Sequence, residues 1–406
     1  MFSLLFVFLS CRNGRQIPYG VHHTKLFLVA FSDGTLRVVI HTANLIRDDI
    51  HLKTQGAYIQ DFPLKDPQGN ENEKTDKKVP PGGTPSCTFE QDLIAYIRSY
   101  GFEKRCFSNE RTLCQELRRY DFSTAKVTLI PSTPGRHKLG KTNRQGYLKL
   151  SQVVQEHLRN EPKHPTQDSL ICQFSSIGSL TKNWLNEFTS ALIGAEVPFQ
   201  DKLKLVYPAV EEVRMSMEGY RGGASVPGTA KNATKPFLLP LYCRWGHINA
   251  DEKVGAVASA EPNENNNNNN SSDSNNYDFG RSRTVPHIKT YYALSSTNND
   301  NADSDATSRQ SMRWFVLTSH NLSKAAWGEK QTSTAYGRRL FIRHWELGVF
   351  LAGPLIPAGP HHDSNSTIVP LPYALDPCPY GPSDTPWVVD KRYSTPDAFG
   401  RYSVSD

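Results

Sequence analysis

The sequence contains one short motif twice: a His-x-Lys triplet, followed further along the chain by Asn-Leu. The first copy combines His23-Thr-Lys25 with Asn44-Leu45, and the second combines His287-Ile-Lys289 with Asn321-Leu322. In each copy, apolar strand patterns follow the triplet and precede the Asn. A single His-x-Lys is common by chance, but two copies with the same downstream pair predict related halves that build one shared site.

The residue types of this motif suit attack on phosphorus. Residues two apart on a strand share a face, so we expect the His and Lys of each triplet to project together. One histidine can attack while the other protonates the leaving oxygen, and the lysines and asparagines can stabilise charge on the equatorial oxygens. The lysines supply the positive charge that metal ions supply in other phosphoryl transfers, so the sequence predicts a site without metal or cofactor.

Composition adds a few limits. The 406-residue chain has a formal net charge of +6, which is compatible with a polyanionic partner but does not identify one. Its 7 cysteines form no CxxC pair or close Cys/His cluster, so neither a zinc site nor a disulfide framework is predicted. The apolar run at residues 1–11 is too short to span a bilayer, and we expect no membrane partner.

Alternating strand and helix patterns predict an α/β architecture. Strand patterns cover residues 23–31, 36–42, 126–131, 169–175, 203–207, 287–292 and 313–318. Helical periodicity covers residues 89–100, 112–120 and 180–192. The low-complexity stretches 257–280 and 295–311 are predicted to be disordered loops, because they have too little apolar surface to bury. The Pro-rich tail from residue 354 is predicted to be irregular.

The duplicated motif resembles that of the phospholipase D superfamily and, more narrowly, that of the tyrosyl-DNA phosphodiesterase family. The general phospholipase pattern has an Asp after four further residues, whereas Ala30 and Leu294 stand at those positions here. The downstream Asn takes its place, as in the tyrosyl-DNA enzymes. Other phrases that resemble the family are Lys53-Thr-Gln-Gly56, Pro134-Gly-Arg136, Glu346-Leu-Gly-Val349 and the stretch from Asn321 to Gly328.

The resemblance implies two tandem phospholipase D-like domains, each an α-β-α sandwich, with the active site between them. We place the first domain at residues 1–143 and the second, with the Asn-rich insertions, at 144–406. Family members have roughly a hundred or more residues before the first His-x-Lys, about a domain's worth, whereas 22 precede His23 here. We therefore expect the first domain to be incomplete and the chain to be N-terminally truncated.

The resemblance also implies roles for individual residues. His23 would be the nucleophile that forms a covalent phosphohistidine, and His287 would be the general acid and then the base. The phosphate would be held by Lys25, Lys289, Asn44 and Asn321. The residues that orient the histidines would be Gln55 and Glu346. The DNA groove would be lined by Ser175, Ser176, Ser323 and Lys324, and Tyr19 would stack on a base.

The implied function is DNA repair in the nucleus. A monomer would act on the 3′ ends of single- or double-stranded DNA and hydrolyse the 3′-phosphotyrosyl bond that joins DNA to a trapped topoisomerase, removing the topoisomerase-derived peptide adduct. Two alternatives stay open. One is a general phospholipase D-type phosphodiesterase, against which the missing motif aspartates argue. The other is a truncated, inactive member of the family.

Overall fold

The computed structural model describes residues 5–6, 17–65, 88–101, 111–140, 143–160, 168–246, 281–295, 311–335, 337–357 and 367–403. The strands are β1 (Leu5–Phe6), β2 (Leu26–Ala30), β3 (Leu36–His41), β4 (Lys53–Thr54), β5 (Ala57–Phe62), β6 (Thr128–Ser132), β7 (Gly135–Lys138), β8 (Ser169–Gln173), β9 (Leu203–Val206), β10 (Tyr242–Cys243), β11 (Val285–Pro286), β12 (Thr290–Ser295), β13 (Ser311–Thr318), β14 (Glu329–Ser333), β15 (Gly337–Ile342), β16 (Glu346–Pro357) and β17 (Thr367–Val369). The α-helices are α1 (Arg47–Leu52), α2 (Thr88–Ser99), α3 (Leu113–Leu117), α4 (Gly146–His157), α5 (Lys182–Ile193), α6 (Phe199–Lys202), α7 (Val210–Arg214), α8 (Ala230–Ala233) and α9 (Lys324–Trp327). Short 3-10 helices cover Leu158–Asn160, Gly219–Ser225 and Leu239–Leu241.

An antiparallel sheet in the order β1-β2-β3-β5 carries the first motif. The strands predicted at residues 23–31 and 36–42 appear as β2 and β3, which form a hairpin whose turn uses Gly34 at φ 88°, a conformation that favours glycine. β2 begins one residue after Lys25. Strand alternation therefore orients neither the first triplet nor the second, which lies between β11 and β12, contrary to the expectation from sequence.

The second motif lies in a larger mixed sheet in the order β10-β9-β8-β12-β13-β16-β17, with β6 also paired to β16. Its central strands are apolar without alternation because both faces of this sheet are covered. On β12, Tyr291 packs into one core, whereas Tyr292 packs into the other. Each central strand thus contributes to two cores.

The two cores lie on opposite faces of the larger sheet. One contains the buried faces of α4 and α5. The other contains those of α2, α3 and the first sheet. Helix α5 begins where the Thr181 side chain accepts a hydrogen bond from the Trp184 amide at 3.3 Å and ends at Gly194, whose φ is 83°. The result is a mixed α/β fold, as predicted.

Strand pairing crosses the predicted domain boundary at residue 143. β6 pairs with β16, and β7 pairs with β15, so strands from residues 128–138 share sheets with the second half of the chain. The boundary itself stays a prediction. Within the described residues, no helix is long and apolar enough to cross a lipid bilayer.

Several elements differ from the sequence prediction. The tail does not become irregular at residue 354, because β16 continues to Pro357 and β17 pairs with it in parallel. The predicted disordered loop at 257–280 lies outside the described residues, and so do residues 296–310 of the loop predicted at 295–311. Ser295 and Ser311, at the ends of the second loop, pair across β12 and β13. Helix α4 and strands β5, β7, β14 and β15 have no counterpart in the prediction.

Candidate active site

His23 is positioned by main-chain pairing between the two halves of the chain. His22 forms a parallel bridge with Trp345, and the His23 amide donates to the Trp345 carbonyl at 3.0 Å. The Tyr100 ring stacks on the Trp345 indole with a centroid separation of 3.9 Å. This pairing places His23 beside Glu346, the residue that follows Trp345.

The His23 imidazole is held by a buried carboxylate. Its Nδ1 lies 3.0 Å from Oε2 of Glu346, which also accepts a hydrogen bond from the Ser319 hydroxyl at 2.6 Å. Burial lowers the pKa of His23, and the neighbouring lysines add to this effect against the attraction of Glu346. Burial opposes ionisation of Glu346, but contact with His23 and His344 holds the pKa of that carboxyl well below its usual range.

A neutral imidazole therefore faces an ionised carboxylate. Because a carboxylate only accepts hydrogen bonds, the Nδ1 of His23 must carry the proton. The lone pair of its Nε2 is then available to a ligand.

His287 is positioned by a second contact between the halves. β11 pairs in parallel with β4, and the His287 amide donates to the Thr54 carbonyl at 3.0 Å. Buried Lys53, in β4, also forms an ion pair with half-buried Glu218. The Nδ1 of His287 is 3.3 Å from Nε2 of Gln55, the residue that follows β4.

The orientation of the Gln55 amide follows from its other partners. Its Oε1 accepts a hydrogen bond from the Thr42 hydroxyl at 2.7 Å, and its Nε2 donates to the Asp49 carbonyl at 3.0 Å. The second Nε2 hydrogen therefore faces Nδ1 of His287. In the neutral histidine this nitrogen accepts, so the proton is on Nε2, the tautomer opposite to that of His23.

Asp49 links the two motifs. Its Oδ2 accepts a hydrogen bond from the backbone N–H of Asn44 at 2.8 Å and lies 3.4 Å from Nδ1 of His287. The side chain is buried. A protonated His287 would find an acceptor here, so Asp49 favours the imidazolium form.

Each histidine is therefore oriented by side chains from the other half of the chain. The His of the first motif is oriented by Glu346 from the second half of the chain, and the His of the second motif by Gln55 and Asp49 from the first half. Neither half contains a complete site.

The lysines repeat one geometry in both copies. Lys25 donates to the His23 carbonyl at 2.7 Å, and Lys289 donates to the His287 carbonyl at 2.5 Å. Burial lowers the pKa of Lys25 to about 8, despite the nearby carboxylates of Glu346 and Asp49. Burial, with the charge of Lys25, also lowers the pKa of Lys289. Burial thus disfavours the charge of both lysines, and Lys289 is also repelled by Lys25.

Charges from both motifs act on His287. Burial is the main cause that lowers the pKa of His287, and the charges of Lys289, Lys25 and His23 lower it further. An anion bound among these groups would offset their repulsion and raise the pKa of each. The site is therefore electrostatically suited to a phosphate or phosphodiester.

The two asparagines are placed differently. Oδ1 of Asn321 accepts hydrogen bonds from the amides of Ser175 and Ser176 at 3.2 and 3.0 Å, which leaves its NH₂ group to donate elsewhere. Asn44 lines a cavity of about 270 Å³ together with Lys25. Asn44 thus lies beside Lys25 of its own motif, whereas Asn321 contacts the segment that follows β8.

The predicted DNA-groove residues also have defined positions. Ser175 is buried and its hydroxyl is 3.3 Å from Oδ1 of Asn321, so it supports Asn321 rather than facing solvent. Ser323 caps α9 by accepting from the Ala326 amide at 3.1 Å. Lys324 forms an ion pair with Glu329 at 3.2 Å.

Tyr19 is the most exposed of the predicted residues. Its side chain is 89% exposed, and its φ of 64° is left-handed, which is unusual for a residue with a Cβ. The Gly20 amide donates to the Ile17 carbonyl at 2.8 Å and closes the turn. An exposed ring at such a turn is compatible with stacking on a base.

Sequence reasoning missed several residues at the site. Asp49 is a carboxylate shortly after Asn44-Leu45, a signal that was available but not distinctive. His320 is buried, its Nε2 is 2.9 Å from the Ser132 hydroxyl, and its ring stacks on Trp327 at 4.1 Å. Burial lowers the pKa of His320 to about 3, so it is neutral. Across the described part of the chain, no cluster of three or more His, Cys, Asp or Glu residues is arranged to hold a metal ion.

The chain is similar to known proteins over most of its length. A family model described as "Tyrosyl-DNA phosphodiesterase" matches residues 10–381. Tyrosyl-DNA phosphodiesterase 1 of Arabidopsis thaliana is 33% identical over 434 residues, which cover 95% of this chain and 62% of that protein. The probable tyrosyl-DNA phosphodiesterase of Caenorhabditis elegans is 32% identical, with 95% of this chain and 71% of that protein covered.

A solved structure shares the fold. The crystal structure of yeast tyrosyl-DNA phosphodiesterase aligns with a TM-score of 0.60 at 17% identity and covers 92% of this chain and 79% of that one. This chain spans about three fifths of the length of the Arabidopsis relative. The chain belongs to the tyrosyl-DNA phosphodiesterase family.

Proposed function

We propose that this chain is a phosphodiesterase that hydrolyses the 3′-phosphotyrosyl bond between DNA and a topoisomerase-derived peptide. One observation carries the proposal. His23 contacts Glu346 and His287 contacts Gln55, each partner comes from the other half of the chain, and a lysine lies two residues after each histidine. The Nε2 lone pair of His23 is available for attack, and Asp49 offers a partner for a second ring proton on His287, so the pair provides a nucleophile and a proton donor. Family membership supports the choice of a DNA 3′ end over a lipid substrate.

His23 is the nucleophile in this proposal. Its Nε2 lone pair attacks phosphorus, a N–P bond forms, and the bond from phosphorus to the tyrosyl oxygen breaks. The product is a phosphohistidine joined to the DNA 3′ oxygen. Glu346 stabilises the positive charge that the attack creates on the ring, because its carboxylate accepts the Nδ1 proton.

His287 serves both steps. The bound phosphodiester offsets the positive charge of the lysines, so His287 can take up a proton with Asp49 as the partner of its Nδ1. It gives the Nε2 proton to the departing tyrosyl oxygen. The same nitrogen then removes a proton from the water that attacks the phosphohistidine, which releases DNA with a 3′ phosphate and restores His23.

The phosphate is held by the cations of Lys25 and Lys289 and by the amides of Asn44 and Asn321. Tandem phospholipase D-like domains would place one motif on each side of it, and the contacts across the halves support this arrangement. We further propose a monomer that acts in the nucleus on single- or double-stranded 3′ ends.

We expect the purified chain to release tyrosine from a 3′-phosphotyrosyl oligonucleotide in the presence of a chelator. The reason is that lysines supply the charge that a metal would otherwise provide. The measurement is a gel that separates the 3′-phosphate product from the substrate, with phosphatidylcholine turnover assayed in parallel. Loss of cleavage with chelator and recovery with magnesium would contradict the proposed electrostatics, and turnover of phosphatidylcholine alone would favour a lipid phosphodiesterase.

We expect kcat/KM for this substrate to fall above pH 8, about tenfold per unit, because the pKa of Lys25 is lowered to about 8. A lysine with a lowered pKa is charged below that value and neutral above it, so the phosphate clamp is complete at lower pH. A Lys25→Arg variant keeps its charge and should lack this limb, whatever its absolute rate. The exposed control Lys126→Arg should keep the fall in kcat/KM above pH 8. If Lys25→Arg shows the same fall as this control, the titrating group is not Lys25.

A further inference from the structure

The sheet β14-β15-β7 carries cations that the proposed reaction does not use. Leu340 and Ile342 of β15 are buried in the core with α4 and α5, so alternation turns Arg339 and Phe341 outward. The register with β7 places Lys138 opposite Arg339 and Arg136 opposite Phe341. We call the outward surface formed by Arg136, Lys138, Arg339, Phe341 and Arg343 the basic ribbon.

The cations of the basic ribbon are close together. The guanidinium carbons of Arg136 and Arg343 lie 4.5 and 5.4 Å from the centroid of the Phe341 ring, which is only 8% exposed beneath them. Lys138 and Arg339 are direct cross-strand neighbours, and like charges in that relation destabilise a sheet. The arrangement is therefore unfavourable unless an anion lies over it.

Within the described residues the protein does not supply that anion. No carboxylate there lies within 4.0 Å of the charged groups of Arg136, Lys138, Arg339 or Arg343. The nearest outward carboxylate along β14, Glu329, is already paired with Lys324.

The basic ribbon starts at the candidate active site. Arg343 is three residues before Glu346, and a Cβ on Gly20 would lie 2.6 Å from the Arg343 carbonyl oxygen, so the turn that carries Tyr19 packs there. On β14, Glu329 lies opposite Phe341 of the basic ribbon and forms an ion pair with Lys324, in the segment after Asn321. From this end the strands run outward to the turn between Ser333 and Gly337.

We propose that the basic ribbon binds the sugar-phosphate backbone of the DNA strand whose 3′ end occupies the active site. This rests on the proposed function. Outward residues along one strand repeat about every 6.8 Å, so the cations form a row rather than one point, which suits a polyanion better than a single anion. Phe341 is covered and cannot stack on a base, so the contact is with phosphates and is independent of base sequence.

The test compares Lys138→Thr/Arg339→Thr with the control Lys126→Thr/Arg159→Thr. The control removes two exposed cations at the opposite end of the larger sheet. Lys126 lies just before the start of β6. Arg159 lies two residues after His157, whose ring contacts the Arg313 carbonyl near the start of β13. Binding of 3′-phosphorylated single strands, an oligonucleotide of about twelve nucleotides and a trinucleotide, is measured by fluorescence anisotropy.

The ribbon variant should bind the longer strand about 20-fold more weakly at about 0.1 M salt, and the slope of log K against log salt should shrink by about 1.4, for two lost phosphate contacts. Trinucleotide affinity and the control should be unchanged. The Tm of the ribbon variant should equal or exceed that of the wild type, because a like-charge pair has been removed. A structural role for these cations would instead lower the Tm.

The outcomes separate the two proposals. Wild-type chain that binds and cleaves the oligonucleotide, with a ribbon variant equal to the control, would overturn the basic ribbon and leave the proposed function intact. Equal losses for the trinucleotide and the longer strand would also overturn it, because a trinucleotide at the site cannot reach along the ribbon. Wild-type chain that binds neither strand and cleaves nothing would overturn the proposed function itself.

Discussion

A His287→Asn variant should cut a 3′-phosphotyrosyl oligonucleotide and then stall with the DNA attached to His23. Phenolate has a pKa near 10 and leaves with little assistance, so the first step loses only part of the roughly 10²- to 10⁴-fold that a general acid supplies. Water at neutral pH is a poor nucleophile without a base, so the second step loses the full contribution. The intermediate should therefore accumulate.

The adduct is measured on a denaturing gel with labelled DNA, as an acid-labile band at the mass of protein plus oligonucleotide. Peptide mapping should place the DNA on His23. His51→Asn, which changes an exposed histidine of α1, is the matched control and should leave no adduct. An adduct with a His23 variant but none with His287→Asn would reverse the two roles, and none with either would count against covalent catalysis.

A His23→Gln variant should lose four to six orders of magnitude in single-turnover cleavage, the scale of loss when a nucleophile is removed. The glutamine amide can still donate to Glu346, so the buried carboxylate keeps a partner and the fold should be preserved. What the variant lacks is the ring-nitrogen lone pair that attacks phosphorus. Addition of His287→Asn should cost little more, because no intermediate is left for His287 to hydrolyse.

Rates are measured by rapid quench with enzyme in excess, and the Tm of each variant is recorded beside them. A His23→Gln chain with an unchanged Tm and a rate within about tenfold of the wild type would exclude His23 as nucleophile. A lowered Tm would call for the same comparison with His23→Asn, whose shorter amide tests whether the loss follows chemistry or folding.

Local pattern was enough for part of the fold. The hairpin of β2 and β3 has alternating burial and a Gly turn, and α5 has a Thr cap and a Gly end, so both could be predicted from short windows. β16 was missed because Gly348, Gly353 and Pro354 interrupt its strand pattern. It is a strand because β13 and β6 supply hydrogen-bond partners on both sides, which a local window does not contain.

The sequence by itself determined which functional groups are available. Two imidazoles, two ammonium groups and two amides, repeated in order, predict attack on phosphorus because chemistry follows residue type. Only the tertiary structure decided how the histidines differ. Glu346 is 323 residues from His23, and Gln55 is 232 from His287, so no spacing rule connects each imidazole to the group that selects its tautomer. Those pairs arise from β4 meeting β11 and from His22 bridging Trp345, contacts that form only when the two halves pack together.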